Sequence, residues 1–266
     1  MKIGFIGTGN MGSALARAAA KGGHTLLLAN RTPAKAAALA KELGGTVCPN
    51  AEAAETAELL FLGVKPQGLP GLAEELAPAL QARKGNAPVV VSMATAVTLR
   101  ELDAMLGGGL PLIRIMPNTP AAVGAGTILY AAQNVTDAQL NAFRAVLAQA
   151  GLLLPLPEAQ IDAASAISGC GPAFCFQFAD ALALGGVRAG LSYPDARRLA
   201  AQTMLGAAEM LLQGGEAPDV LKMRVCSPAG TTIEGVLALE QGGFSYTVQN
   251  AVTAAYRRTV EMTRKG

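Results

Sequence analysis

Along the first 157 residues, short apolar runs alternate with longer Ala-rich segments whose apolar positions recur every three or four residues. The short runs are Ile3-Gly4-Phe5-Ile6, Thr25-Leu26-Leu27-Leu28, Leu59-Leu60-Phe61-Leu62, Val89-Val90-Val91 and Leu112-Ile113-Arg114-Ile115. The first four are nearly unbroken in hydrophobicity, as parallel strands covered on both faces require. Thr32 before Pro33 predicts a helix start, with proline at the first helical position. Thr136 and Gln139 have the spacing of a capping box ahead of the apolar positions Leu140, Phe143 and Leu147. Strand and helix in repetition predict an α/β fold with a parallel, doubly wound sheet.

The pattern changes near Leu154-Pro155-Leu156-Pro157. Beyond it no strand period recurs, and helical periods run over 161–167, 174–187, 195–212 and 247–262. In the last, Val248, Ala251, Val252, Ala255 and Thr259 fall on one helical face. Ser192 and Asp195 resemble another capping box, with Pro194 inside the first turn. The boundary is therefore set at 157, with an α/β domain over 1–157 and an all-α domain over 158–266. These apolar helices exceed what one small bundle needs, which predicts a homodimer interface.

Composition narrows the function classes. Of 266 residues, 51% are hydrophobic and 15% charged, which excludes an intrinsically disordered chain. Aromatic residues are only 4%, so small aliphatic side chains supply the core. A net charge of +2 without a Lys/Arg cluster gives no footprint for nucleic acid. The most apolar long window, Ile167 to Val187, carries Pro172, Gln177 and Asp180, so a buried helix is expected there and not a membrane span. Met1-Lys2 runs straight into the first strand, too short for a signal peptide. Cys48, Cys170, Cys175 and Cys226 form no CxxC pair, and with one histidine they suggest no zinc site. Free thiols in the cytoplasm are expected, two or three of them buried as small hydrophobes.

The first candidate chemistry is Ile6-Gly7-Thr8-Gly9-Asn10-Met11-Gly12, a GxGxxG that follows a strand and opens a helix. Gly7 permits the tight turn, Gly9 lets backbone approach a pyrophosphate, and Gly12 brings helix against strand, as in a Rossmann-type dinucleotide site. The helix N-terminus adds unpaired N–H groups and a positive dipole end. At the end of the second strand an NAD site usually carries a carboxylate for the ribose 2′-hydroxyl. Here Asn30 and Arg31 stand instead, and Arg31 offers a planar fork to a 2′-phosphate, so NADPH is expected, with NADH possible. Gly63-Val64-Lys65-Pro66, Met93-Ala94 and Asn118 follow later strands at the end where ligands of open α/β sheets lie. Asn118, between two prolines, is expected to present its amide to a nicotinamide. The plain alternatives are a glycine turn that binds nothing, and Arg31 and Lys65 as solvated surface charges.

Two glycine-rich segments punctuate the helical half: Ser168-Gly169-Cys170-Gly171-Pro172-Ala173-Phe174 and Cys226-Ser227-Pro228-Ala229-Gly230-Thr231-Thr232. The second offers hydroxyls and consecutive N–H groups at a helix start, suited to a small carboxylate. Alone it could equally be an ordinary capped turn. With it in view, the chain resembles the Δ1-pyrroline-5-carboxylate reductases nearly end to end. The matching stretches are IGFIGTGNMG at 3–12, GVKP at 63–66, MPNTP at 116–120, SGCGPAF at 168–174 and, most specific, SPAGTTIEGVLALE at 227–240. Where this family often has glycine, the chain has Ala229, which would be strained if the loop needs a positive φ.

The resemblance implies a Rossmann-type NAD(P)-binding domain followed by an all-α C-terminal dimerisation domain. It implies a substrate site to which both subunits contribute. Ser227, Gly230, Thr231 and Thr232 should receive the substrate carboxylate through N–H groups and hydroxyls, and Thr232 resembles the residue that hydrogen-bonds the imine nitrogen. Reduction of a protonated cyclic imine needs positioning more than a strong protein acid. This fits a chain whose only histidine, His24, falls at the far edge from the strand carboxyl ends. A threonine pKa lies outside the useful range, so Thr232 is assigned orientation and a hydrogen-bond relay. A β-hydroxyacid dehydrogenase is disfavoured: the helical half has lysine only at 222 and 265, and Lys222 lacks that family's setting. Another NADPH-dependent imine reductase, or a non-catalytic NADPH-binding sensor, remains an alternative.

Overall fold

The computed structural model describes residues 1–83 and 85–263; Lys265 lies outside the described residues. It divides into two compact units: Met1–Cys170 with the end of the last helix from Tyr256, and Gly171–Ala255.

In the first unit the order is β1 (Lys2–Ile6), α1 (Asn10–Ala20), β2 (Thr25–Ala29), α2 (Pro33–Leu43), β3 (Thr46–Val47), α3 (Asn50–Thr56) and β4 (Leu59–Leu62). It continues with α4 (Leu69–Ala82), β5 (Val89–Ser92), α5 (Leu99–Met105), β6 (Leu112–Pro117), β7 (Gly126–Gln133), α6 (Asp137–Leu147), β8 (Gly151–Pro155) and α7 (Glu158–Ser168). The eight strands form one sheet in the order β3-β2-β1-β4-β5-β6-β7-β8. The order reverses direction at β1, so the loops after β1 and β4 flank a topological switch point, where open α/β sheets take ligands.

All neighbours are parallel except β6 and β7, which pair antiparallel from Leu112↔Gln133 to Pro117↔Ile128. That reversal departs from the purely parallel expectation, and it sends β7 and β8 out to one edge. The five predicted strands are present. β3, β7 and β8 are additional; β3 is only two residues long and β8 ends in proline.

One apolar layer lies on each face of the sheet. Ile3, Phe5, Leu26, Leu28, Phe61 and Ile113 meet α1, α2 and α6 on one side; the rings of Phe5 and Phe61 stack at 4.6 Å. Ile6, Leu27, Leu60, Leu62, Val90 and Leu112 meet α3, α4, α5 and Ile161 of α7 on the other. The near-continuous hydrophobicity of the central strands is what this double coverage demands.

The second unit contains α8 (Gly171–Arg188), α9 (Tyr193–Gly214), α10 (Pro218–Arg224), α11 (Thr231–Gln241) and most of α12 (Phe244–Thr263). Ser192 caps α9 by accepting from the Asp195 N–H at 3.3 Å. Helices α8 and α9 pack closely because Gly186 has no side chain: a Cβ there would lie 3.0 Å from that of Ala196. The Tyr193 hydroxyl donates to Asp180 at 2.8 Å, which pushes its phenol up.

Within one chain α8 is not the buried helix expected over 167–187. Only Ala183 of α8 is buried, and Phe176 is 68% exposed, with Leu182, Leu184 and Val187 also exposed. The stretch Glu158–Arg188 is long and apolar enough to cross a membrane by length and composition. An apolar helical face uncovered in one protomer equally suits a subunit interface.

Candidate active site

The turn after β1 is set by backbone crowding. Gly7 has φ +98°, and a Cβ there would lie 2.6 Å from the Gly63 carbonyl oxygen. A Cβ on Gly12 would lie 2.1 Å from the Gly7 carbonyl oxygen. These two glycines are required by the protein's own chain, as the Gly7 N–H donates to Ala29 O at 2.8 Å and the Gly63 N–H to Ile6 O at 2.7 Å. Gly9 differs: a Cβ there meets nothing within 4 Å. It is the N-cap of α1 and lacks a side-chain capping bond, so no capping side chain occupies the first-turn N–H groups of Asn10, Met11 and Gly12.

Thr8 is 5% exposed, and its Oγ1 has no hydrogen-bond partner among the described residues. A buried hydroxyl without a partner is costly unless something outside the protein satisfies it. The orphaned hydroxyl, the open ground at Gly9 and the uncapped helix N-terminus together fit a diphosphate.

Asn30, at the end of β2, bonds backbone on both sides. Its Oδ1 accepts from the Thr8 N–H and its Nδ2 donates to Thr32 O, both at 3.1 Å. The amide therefore holds the β1 turn against the end of β2. Arg31, beside it, is exposed, and among the described residues it forms no ion pair. Lys65 is exposed and extended ahead of a short turn at Pro66–Gly68, and Val64 packs against the core. After β5, Met93 is half-buried and Ala94 buried, and Ala96 has φ +63°.

Asn118 is a correction. It is extended, as expected between prolines, but 7% exposed, and its amide is committed to the protein. Its Oδ1 accepts from the Thr127 N–H at 2.8 Å and its Nδ2 donates to Ser168 O at 2.9 Å. It joins the start of β7 to the end of α7 and holds both at the ligand end of the sheet. Side-chain bonds to backbone this far apart leave no sequence signal beyond the flanking prolines.

The sequence reading also missed Arg114, which lies on β6 and is 2% exposed. It donates to Asp162 at 2.5 Å and to Glu158 at 3.4 Å, and Glu158 in turn accepts from the Leu99 N–H at 2.7 Å. This network fixes α7 and α5 to the sheet. His24 precedes β2, at the end of the sheet opposite these loops.

In the second unit, Ser227-Pro228-Ala229-Gly230 leads into α11. Ala229 has φ +57°, the left-handed conformation anticipated where glycine is usual. The Gly230 N–H donates to Ser227 O at 3.0 Å, which corrects the expectation that it is available to a carboxylate. Gly230 matters through its missing side chain, since a Cβ would lie 2.2 Å from Ser227 Oγ. It is the N-cap of α11, again without a side-chain capping bond. Thr231 and Thr232 therefore present first-turn N–H groups and hydroxyls, and both are exposed. Only Cys48 of the four thiols is buried, fewer than the two or three expected.

A dinucleotide-type turn in an α/β unit, followed by a helical half with an uncapped, hydroxyl-rich helix start, defines a nucleotide-dependent oxidoreductase of two-part build. Residues 158–262 match the family model described as pyrroline-5-carboxylate reductase dimerisation, and residues 2–96 match that described as NADP oxidoreductase coenzyme F420-dependent. The chain belongs to the pyrroline-5-carboxylate reductase family. It is 39% identical to the pyrroline-5-carboxylate reductase of Synechocystis sp., covering 100% of this chain and 99% of that one. A solved pyrroline-5-carboxylate reductase from Coxiella burnetii superposes with a TM-score of 0.90 at 32% identity, covering 97% of each chain. The Plasmodium falciparum pyrroline carboxylate reductase solved with NADP bound gives 0.87 at 30%, covering 99% of this chain and 98% of that one. The helical half is thus a dimerisation domain, which assigns its uncovered apolar face to another subunit.

Proposed function

We propose that the chain reduces 1-pyrroline-5-carboxylate to L-proline, the last step of proline biosynthesis, with NADPH as the donor and NADH a poorer one. The cofactor, when bound, supplies a hydride to carbon five of the protonated imine, whose π pair then rests on nitrogen as the amine. The residues before 158 bind the donor. Thr8 Oγ1 and the first-turn N–H groups of Asn10, Met11 and Gly12 receive its diphosphate, while Arg31 grips the 2′-phosphate. Ile6, Gly63, Val64, Lys65, Pro66, Met93 and Ala94 line its path, and Asn30 and Asn118 hold that path in shape.

Residues 158–266 supply dimerisation and substrate binding. The N–H groups of Thr231 and Thr232 and the hydroxyls of Ser227 and Thr231 receive the carboxylate. The Thr232 hydroxyl orients the imine nitrogen and relays a hydrogen bond to it. Fixing the carboxylate fixes the ring, and positioning is what this reaction needs. The four free thiols suit a reducing cytoplasm.

The observation that carries this reading is the uncapped start of α11 at Gly230, with Thr231 and Thr232 exposed on it. The test is loss of NADPH absorbance on adding racemic pyrroline-5-carboxylate. Turnover is expected, and Thr232→Ala should lower kcat/KM by about tenfold or more while NADPH affinity stays unchanged. NADPH bound without turnover of this imine would favour a sensor or another imine.

A further inference from the structure

The helix layers that cover the sheet do not reach equally far. Register places β8 side chains by their β7 partners: Leu153 faces the same way as Ile128, and Leu152 and Leu154 the same way as Thr127 and Leu129. Leu153 packs into the layer beneath α1 and α6. Leu129 belongs to the opposite layer and is covered to 2% exposure.

On that opposite face the last helix is α7, which Arg114 of β6 anchors through Glu158 and Asp162. Its cover ends at β7. Leu152 and Leu154 are 53% and 38% exposed, beyond the reach of the helices that cover this face within the sheet unit. An edge strand with a bare apolar face is a liability that natural sheets cover, charge or shorten. Neither leucine is flanked by a charge, since the strand reads Gly-Leu-Leu-Leu-Pro.

We infer that the subunit interface extends beyond the dimerisation domain onto this edge, and that the helical half of a second copy covers Leu152 and Leu154. Continuity supports a second copy as the occupant. The dimerisation model begins at residue 158, three residues past the end of β8, and α7 runs on to Ile167, itself 65% exposed. The helices beyond supply a complementary surplus of exposed apolar side chains, Phe176, Leu199, Leu205 and Leu212 among them.

The position has a functional consequence. Leu152 pairs with Thr127, whose N–H holds the Asn118 amide that also grips Ser168. A partner helix seated on the start of β8 would brace that bracket at the ligand end of the sheet, so assembly and activity would be linked. The inference rests on the dimerisation domain and the sheet register, independently of which imine is reduced.

The test uses the full-length protein. Cysteine is placed at Leu154 and, as a freely exposed reference, at Lys41 on α2, and maleimide labelling of each site is followed by peptide mass. Cover by a second copy predicts labelling at 154 at least tenfold slower than at 41, approaching the reference rate as the assembly is diluted apart. The double variant L152E/L154E, checked for folding by circular dichroism, should raise the dimer dissociation constant at least tenfold in sedimentation. Labelling at the reference rate in the intact assembly would overturn the inference. So would protection that persists in separated protomers, or a folded double variant that associates as tightly as the parent.

Discussion

Two neighbouring residues in the loop before α11 carry opposite constraints. Ala229 sits at φ +57°, where an L side chain costs about 1–2 kcal/mol. Glycine there would relieve that cost while adding about 0.5–1 kcal/mol of unfolded-state entropy. Ala229→Gly should therefore change the unfolding free energy, read from urea titration, by a gain between about zero and 1.5 kcal/mol, and loosen the loop. Gly230 tolerates no such exchange, because a Cβ would lie 2.2 Å from Ser227 Oγ. Gly230→Ala should displace the start of α11 and raise KM for the imine about tenfold or more, leaving NADPH affinity intact; steady-state kinetics beside cofactor titration would show it. Arg31→Ala should weaken NADPH about tenfold and NADH little, since only the 2′-phosphate uses its fork. The glycines of the β1 turn were legible in the sequence because their role depends on local backbone. The amide partners of Asn30 and Asn118 were not legible because they are chosen by strands that meet only in the folded chain.

Among the elements, α7 is held by a buried charge and α5 by a cap. Arg114 is 2% exposed and pairs with Glu158 and Asp162, whose side chains are 29% and 23% exposed. Arg114→Met leaves two carboxylates that can still reach water, so the loss should be about 2 kcal/mol, below that of a fully buried pair. Chemical denaturation would measure it. Thr98 caps α5 in a reciprocal box with Glu101, and the Thr98 N–H and hydroxyl hold the Glu101 carboxyl below its usual 4.5. A depressed folded pKa means the contribution is complete above the usual value and disappears as pH falls through the folded one. Thr98→Ala removes the cap on the Glu101 N–H, so it should cost about 1 kcal/mol at neutral pH, and somewhat less once the carboxyl is protonated, because only the hydroxyl's bond to the carboxylate titrates; urea unfolding across the acid range would show the partial convergence. The box at Thr136 and Gln139 was read from spacing ahead of an apolar stripe. The one at Thr98 precedes a helix of only 7 residues, too short to display a period. Two of the missed strands have the same cause: β3 is two residues long, and β8 is three leucines between glycine and proline, a pattern that helix and strand share.

For the whole molecule, the two halves solve the burial problem in different ways. The sheet of the first unit closes its core within one chain, with Phe5, Phe61 and Phe143 at 1% exposure or less. The second unit does not: among the residues whose burial is described, α11 and α12 have none buried in the single chain, and α8 has one. The sequence showed surplus apolar helices and so implied a partner, but a period of three or four cannot say whether a stripe meets its own chain or another. The match to a dimerisation domain answers that with a second copy. Any state that binds only the folded form is stabilised by mass action, so the melting temperature should rise with protein concentration. Over a hundredfold range the added stability per dimer is about 2.7 kcal/mol by the same relation, enough to displace the midpoint by several degrees. Calorimetry at two concentrations, with NADPH absent and then saturating, separates the halves. Cofactor should raise the stability of the sheet unit at either concentration, whereas dilution should lower that of the helical unit first. A melting profile independent of concentration would mean that the exposed faces of α8, α11 and α12 are not what holds two copies together.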